Sequence, residues 1–188
     1  EPALHRHDFD PQGFAWIEVE TRGRAAHGSR PLDGRDAIMR MGRVLNRLER
    51  LDRELQSRPS QSLMGPGSLH ASIVQGGREP SSYPASCRLE MERRTTGAES
   101  SDTALGEVTA ILADLAREDP EFEASARLMF SRPPYELAPE HPLPRLLVDV
   151  VESLATRTAT VGMSFWTDAA VLGAAGIPSV LFGPGGAG

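Results

Sequence analysis

Phe14-Ala15-Trp16-Ile17-Glu18-Val19-Glu20-Thr21-Arg22 runs directly into Gly23-Arg24-Ala25-Ala26-His27-Gly28-Ser29-Arg30-Pro31, and the reading of these two pieces decides the fold. In the first, Ile17, Val19 and Thr21 alternate with Trp16, Glu18 and Glu20. A period of two puts one face of a strand on a core and the other in water. The second piece has no period, and its glycines and proline mark a loop. After Pro31 the spacing becomes three and four, with Ala37, Ile38, Met41, Val44, Leu45, Leu48, Leu51 and Leu55 on one stripe of a long helix. A loop held between strand and helix aims its side chains, so His27 is a candidate for chemistry. From the loop alone, a solvated surface histidine is the commoner outcome.

Outward from this unit the pattern continues. Arg58 to Gly67 is a Pro-, Gly- and Ser-bearing loop. Leu69, Ala71 and Ile73 then alternate with His70, Ser72 and Val74 until Gly76-Gly77 ends the strand. After a turn, Cys87, Leu89 and Met91 alternate with Arg88, Glu90, Glu92 and Arg94, which suits an antiparallel pair. On this phase Cys87 points inward, as a buried thiol rather than a nucleophile. Glu99 to Arg117 carries a second apolar stripe (Leu105, Val108, Ile111, Leu112, Leu115), with Ser100 or Ser101 as cap and Asp119-Pro120 as stop. Phe122, Ala124, Ala126, Leu128 and Phe130 alternate with Glu123, Ser125 and Arg127 as a further strand. Strand, helix, strand, strand, helix, strand is the α+β, ferredoxin-like order, one sheet covered on one face by two helices. It makes residues 14–130 one domain.

The flanks read differently. Residues 1–13 are polar and turn-rich and predict a frayed arm, with His5, His7 and Asp8 as a less favoured metal site. Ser131 to Pro144 holds five prolines and reads as a linker. Residues 131–188 then offer a helix (Leu143, Leu146, Leu147, Val150, Val151, Leu154), a short strand at Thr158 to Val161, a helical stretch after Thr167 and a strand at Ser179 to Phe182. The last runs into a glycine-rich end. This is the grammar of an α/β layer, but two such units do not close a core, so the segment is expected to be part of something longer.

Composition excludes several classes. Of 188 residues, 39% are hydrophobic and 24% charged, and no apolar run reaches membrane-spanning length. The formal net charge is −6, although all 20 basic residues are arginine. Arg35, Arg40, Arg43, Arg47, Arg50 and Arg53 line the first helix, but Glu49, Asp52 and Glu54 interrupt them and no aromatics accompany them. They read as a solvated face, not a nucleic-acid stripe. The single cysteine and the absence of a signal-peptide pattern point to the cytoplasm. Ser164, His27 and Asp168 do not make a serine hydrolase, because Gly162-Met163-Ser164-Phe165-Trp166 is not a nucleophile elbow. The terminal glycines lack the Lys-Ser/Thr of a phosphate loop.

An ordered set of short motifs remains. It comprises Gly23 to Pro31 with Gly34 and Asp36-Ala37-Ile38, Gln75-Gly76-Gly77, Ser81-Ser82-Tyr83-Pro84, Glu92-Arg93-Arg94, Trp166-Thr167-Asp168-Ala169, Gly176-Ile177-Pro178 and Phe182-Gly183-Pro184-Gly185. From about Phe14 to Gly188 the set resembles the zinc-dependent family of acetylornithine deacetylase, succinyl-diaminopimelate desuccinylase and carboxypeptidase G. The resemblance implies that residues 14–130 are the family's lid, or dimerisation, domain and that 131–188 close a catalytic domain. It implies a homodimer through the lid, acting on small N-acyl amino acids or related carboxylate-bearing amides. Two zinc ions would activate a water in the complete enzyme. Their ligands are expected outside this chain, so none is assigned, and the chain alone is expected to be zinc-free and inactive.

By the same resemblance, His27 would stabilise the oxyanion in the partner subunit's site. Arg94 would bind the substrate carboxylate, with pairing to Glu92 as its structural alternative. Ser81 stands where many relatives carry Asn and would touch substrate. Gly183, Gly185 and Gly186 would form a backbone wall beside it. Thr95-Thr96-Gly97 lacks the proline usual after the strand arginine. A different class also fits the fold: a ferredoxin-like module that dimerises or binds a small ligand without catalysis.

Overall fold

The computed structural model describes residues 5–59, 65–97, 99–138, 140–154, 158–163 and 165–184. In chain order its elements are β1 (His5–Pro11), β2 (Gly13–Arg22), α1 (Ala37–Ser57), β3 (Ser68–Gly76), β4 (Ser86–Thr95), α2 (Ser101–Glu118), β5 (Glu123–Arg132), α3 (Pro142–Ser153), β6 (Thr158–Met163), α4 (Ala169–Ala174) and β7 (Leu181–Pro184). Four of the strands form an antiparallel sheet in the order β3-β4-β2-β5. With α1 and α2 on one face, this is the α+β, ferredoxin-like sandwich.

The inward phase of the two central strands supplies Ile17, Val19, Cys87, Leu89 and Met91 to the core. Met41, Val44, Leu48 and Leu55 of α1 and Val108, Leu112 and Leu115 of α2 pack onto them. Each helix begins on a side-chain cap. Asp36 accepts from the Met39 N–H at 2.9 Å, and Ser100 and Thr103 form a reciprocal capping box. Such caps contribute about 1 kcal/mol each.

Two bulges change which side chains face inward. Ala71 pairs with Met91 but Ile73 pairs with Glu90, so Ser72 is the extra residue on β3. Ile17 pairs with Leu128 but Trp16 pairs with Phe130, so Met129 is the extra residue on β5. A one-residue insertion swaps faces for everything beyond it. Ile73 and Phe130 therefore leave the face of Leu69 and Leu128, lie on the helix-free face and are partly exposed.

One arginine departs from the sequence expectation, and a second is buried where none was assigned. Arg40 is buried rather than solvated, and its Nη1 donates to the Arg22 carbonyl at 2.6 Å. Arg93 continues the inward phase of Cys87, Leu89 and Met91 and is fully buried. Its Nε donates to Glu107 at 2.9 Å, its Nη2 to Glu99 at 2.8 Å and its Nη1 to the Arg94 carbonyl. The remaining arginines of α1 do not all stand free in water. Arg43 pairs with Asp119 at 2.9 Å and Arg47 with Glu118 at 2.5 Å, each at the end of α2.

The N-terminal segment is not a frayed arm. β1 is the middle strand of a second sheet, ordered β6-β1-β7, parallel to β6 and antiparallel to β7. Its partners lie some 150 residues along the chain, which local periodicity does not reveal. The proline-rich stretch after β5 is anchored to the same region. Tyr135 Oη accepts from the Ser179 N–H at 2.9 Å, and its ring packs on Gly173, where a Cβ would lie 2.0 Å from the ring. α3 and α4 leave Leu146, Val150, Leu154, Val171 and Leu172 exposed.

Removing Arg93 would leave two carboxylates facing a buried gap, so Arg93→Ala is expected to cost about 3–5 kcal/mol in chemical denaturation. Burial alone would push the Glu99 carboxyl up. Hydrogen bonds from Arg93 and the Thr96 backbone, with the charges of Arg93 and Arg58, outweigh burial and hold it below the usual glutamate range. The stability this contributes is complete above the usual range and is lost as pH falls through the depressed folded value. Acid titration of the denaturation midpoint is expected to show that loss, and to show less of it in the Arg93 variant.

Candidate functional site

The loop after β2 is stitched to the turn before β4. Gly23 N–H donates to the Ala85 carbonyl at 2.8 Å, Tyr83 N–H to Ala26 at 2.8 Å and Gly28 N–H to Ser81 at 2.6 Å. Arg24 and Arg35 exchange backbone bonds at 2.8 and 2.9 Å, closing the loop on itself. Gly34 is required by contact, because a Cβ there would lie 2.5 Å from the Tyr83 ring. Between these ties His27 stands exposed, bridged across to Ser82.

The imidazole is oriented by Ser29. The Ser29 backbone N–H donates to His27 Nδ1 at 3.2 Å, and Ser29 Oγ lies 2.8 Å from the same nitrogen. A backbone N–H only donates, so Nδ1 accepts and the ring proton of the neutral form resides on Nε2. Nε2 has no partner among the described residues. The loop thus presents an outward N–H.

Ser81 serves the loop through its carbonyl, which accepts from the Gly28 N–H. Ser82 Oγ donates to Glu79 at 2.5 Å. Hydrogen bonds from Ser82 and Ser81, with the charge of His27, hold the Glu79 carboxyl below its usual range. Glu79 and Ser82 line a cleft of about 800 Å³ with Arg78, Tyr83 and Arg88. Sequence reasoning missed Glu79 and Ser29. Their spacing of two or three residues from the loop's candidates was the available signal.

Arg94 lies elsewhere. It is at the opposite end of β4, and the eight residue steps from Ser86 to Arg94 span about 27 Å of extended strand. There its Nε pairs with Glu92 at 2.8 Å, and its Cζ sits 5.7 Å from the Phe14 ring centre. Phe14, Trp16 and Phe130 pack with centroids 5.3 to 5.9 Å apart. Trp166 meets Phe14 edge-on at 6.3 Å, and Arg132 stacks on both Phe130 and Trp166. Trp166 Nε1 and Thr167 Oγ1 are buried without a hydrogen-bond partner among the described residues. The Arg94 end of the sheet therefore adjoins the C-terminal segment, whereas among the described residues no such contact is made at the His27 end. Gly183 lies on β7, where an added Cβ would meet nothing within 4 Å. Gly185 and Gly186 lie outside the described residues.

The two-helix sheet has its counterpart in known proteins. The family model of the peptidase dimerisation domain matches residues 11–120. The chain belongs to the M20 peptidase family. It is 28% identical over 176 residues to an acetylornithine deacetylase of Myxococcus xanthus, covering 93% of this chain and 45% of that one. The crystal structure of a tripeptidase from Staphylococcus aureus matches with a TM-score of 0.80 at 18% identity, over 97% of this chain and 46% of that one. An aminopeptidase from Bacillus cereus matches at 0.72 and 15%, over 96% and 45%. The chain thus spans about half the length of the relatives it matches. Such likeness at low identity reports the fold.

M20 proteins are hydrolases and in general metal-dependent. Among the described residues no three His, Cys, Asp or Glu side chains gather as a metal site requires. Among the described residues no helix is long and apolar enough to cross a membrane.

Two measurements check the site. Nitrogen resonances of labelled protein are expected to show neutral His27 as the Nε2–H tautomer, and the opposite tautomer would contradict the Ser29 geometry. Cys87 is buried, and burial followed by the charge of Asp36 pushes its thiol up. Iodoacetamide is expected to leave it unmodified in the folded protein and to label it after denaturation.

Proposed function

We propose that this chain is the dimerisation lid, with part of the catalytic domain, of a cytoplasmic M20 amidohydrolase. The enzyme cleaves the amide of N-acyl amino acids or related carboxylate-bearing amides, in the manner of an acetylornithine deacetylase. In this reading the protein is a homodimer, and the activating metal, two zinc ions in the complete enzyme, is held by residues other than those described. His27 donates its Nε2–H to the oxyanion of the tetrahedral intermediate in the partner subunit's site. Arg94 receives the substrate carboxylate in its own subunit's site, Ser81 lies near substrate beside the histidine, and the backbone of Gly183, Gly185 and Gly186 walls the cleft.

The observation that carries this reading is the separation of the two side chains. A histidine and an arginine at opposite ends of one rigid strand ladder do not reach one small substrate together. Each lid then serves two sites, one at each end. The arginine end adjoins its own α/β segment through Phe14 and Trp166, which leaves the histidine end for a second copy. A single preorganised oxyanion donor contributes about 3 kcal/mol, so His27→Ala is expected to lower kcat about a hundred- to a thousandfold in the full-length enzyme.

Mixed dimers test the arrangement directly. Full-length His27→Ala and Arg94→Met proteins are each expected to be impaired, and co-expression is expected to restore activity. In a mixed dimer one site receives Arg94 from the first protein and His27 from the second, so one intact site forms. If both residues acted in the same subunit's site, mixing would restore nothing.

A further inference from the structure

Glu92 splits its carboxylate between an indole donor and a guanidinium cation. Across the β2–β4 ladder Glu92 pairs with Trp16, and Arg94, two residues on, pairs with Phe14. All four side chains therefore lie on the helix-free face. Trp16 Nε1 donates to Glu92 Oε2 at 2.7 Å, while Arg94 Nε engages Glu92 Oε1 at 2.8 Å. With one oxygen held by an indole wedged between Phe14 and Phe130, the carboxylate is not free to swing. The guanidinium is thereby fixed on one edge by Glu92 and on one face by the Phe14 ring. Its Nη1 and Nη2 have no hydrogen-bond partner among the described residues. Those two parallel donors are the edge that grips a carboxylate bidentately.

We infer that Glu92, locked by Trp16, is a positioning residue that holds Arg94 by its Nε and turns the Nη1/Nη2 edge toward the substrate carboxylate. This rests on the reading of Arg94 given above and adds the device that orients it. A surface ion pair without that purpose makes the opposite prediction. The negative charge of Glu92 opposes an incoming carboxylate, so by charge alone its removal would tighten binding. If Glu92 positions the arginine, its removal weakens binding, because the freed guanidinium must be ordered again each time substrate arrives. The two accounts differ in sign.

The experiment is calorimetric titration of the full-length enzyme with N-acetylleucine and with its decarboxylated counterpart, N-acetylisoamylamine. Glu92→Gln is expected to raise the Kd for N-acetylleucine about tenfold, the loss of the ion pair that keeps the guanidinium ordered, without changing that for the amine derivative. Trp16→Phe keeps the ring and the charge but removes the indole donor, and is expected to shift the Kd in the same direction by a smaller factor. Arg94→Met is the control for the underlying reading. Wild-type protein that does not bind N-acetylleucine, or binding that Arg94→Met leaves unchanged, would overturn the carboxylate role itself. Arg94-dependent binding that both Glu92→Gln and Trp16→Phe leave unchanged or tighten would overturn the positioning role alone.

Discussion

The ladder between β2 and β4 determines where everything else in the molecule lies. Its ten pairs run from Gly13 with Thr95 to Arg22 with Ser86 without a bulge, whereas the ladders on either side are each interrupted. Both strands bury one full face beneath α1 and α2, and a slip of one residue would turn Ile17, Val19, Leu89 and Met91 into water. The core therefore enforces the register. The register in turn fixes how far the histidine loop stands from the arginine. A separation set in this way is a property of the fold rather than of any side-chain conformation.

The helix-free face of the sheet is charged at its middle. Glu18 sits between Arg127 at 2.8 Å and Arg88 at 3.4 Å. The hydrogen bond from Arg127, aided by the charges of both arginines, holds its carboxyl below the usual range. Such exposed pairs contribute little stability each but keep the face wet and discourage stacking of sheet on sheet. Only toward the Gly13 end does the face become aromatic, with Phe14, Trp16 and Phe130, and there it meets Trp166. Charge and aromaticity divide the surface into a solvent-facing part and a part that joins other structure.

Much of this was legible from residue types and spacing. The periods of β2, β4, α1 and α2 gave the sandwich, and the inward phase placed Cys87 among apolar neighbours. Arg93 was also readable, since it stands two residues past Met91 on the same phase, but charge argues against burial until its carboxylate partners are known. Glu99 and Glu107 come from the approach to α2 and from α2 itself, and only the packed fold brings them to it. The bulges at Ser72 and Met129 leave no local mark, so strict alternation does not give the faces of Ile73 and Phe130. β1 was the largest omission, because its pairing depends on β6 and β7, which follow the whole two-helix domain. For the histidine, the loop and its importance were visible, while the bond from Ser29 that assigns its proton is a matter of coordinates.

The place of β1 has a mechanical consequence. The chain leaves the small sheet at Pro11, builds the entire two-helix domain, and returns past β5, so two strands join the parts and they lie side by side. At Gly13 the returning strand passes so close that a Cβ would fall 2.4 Å from the nitrogen of Pro134. Two strands abreast form a strap, which flexes across its width and resists swivelling about its length. A single strand would let the two parts turn about one another, and a paired connection opposes that turn.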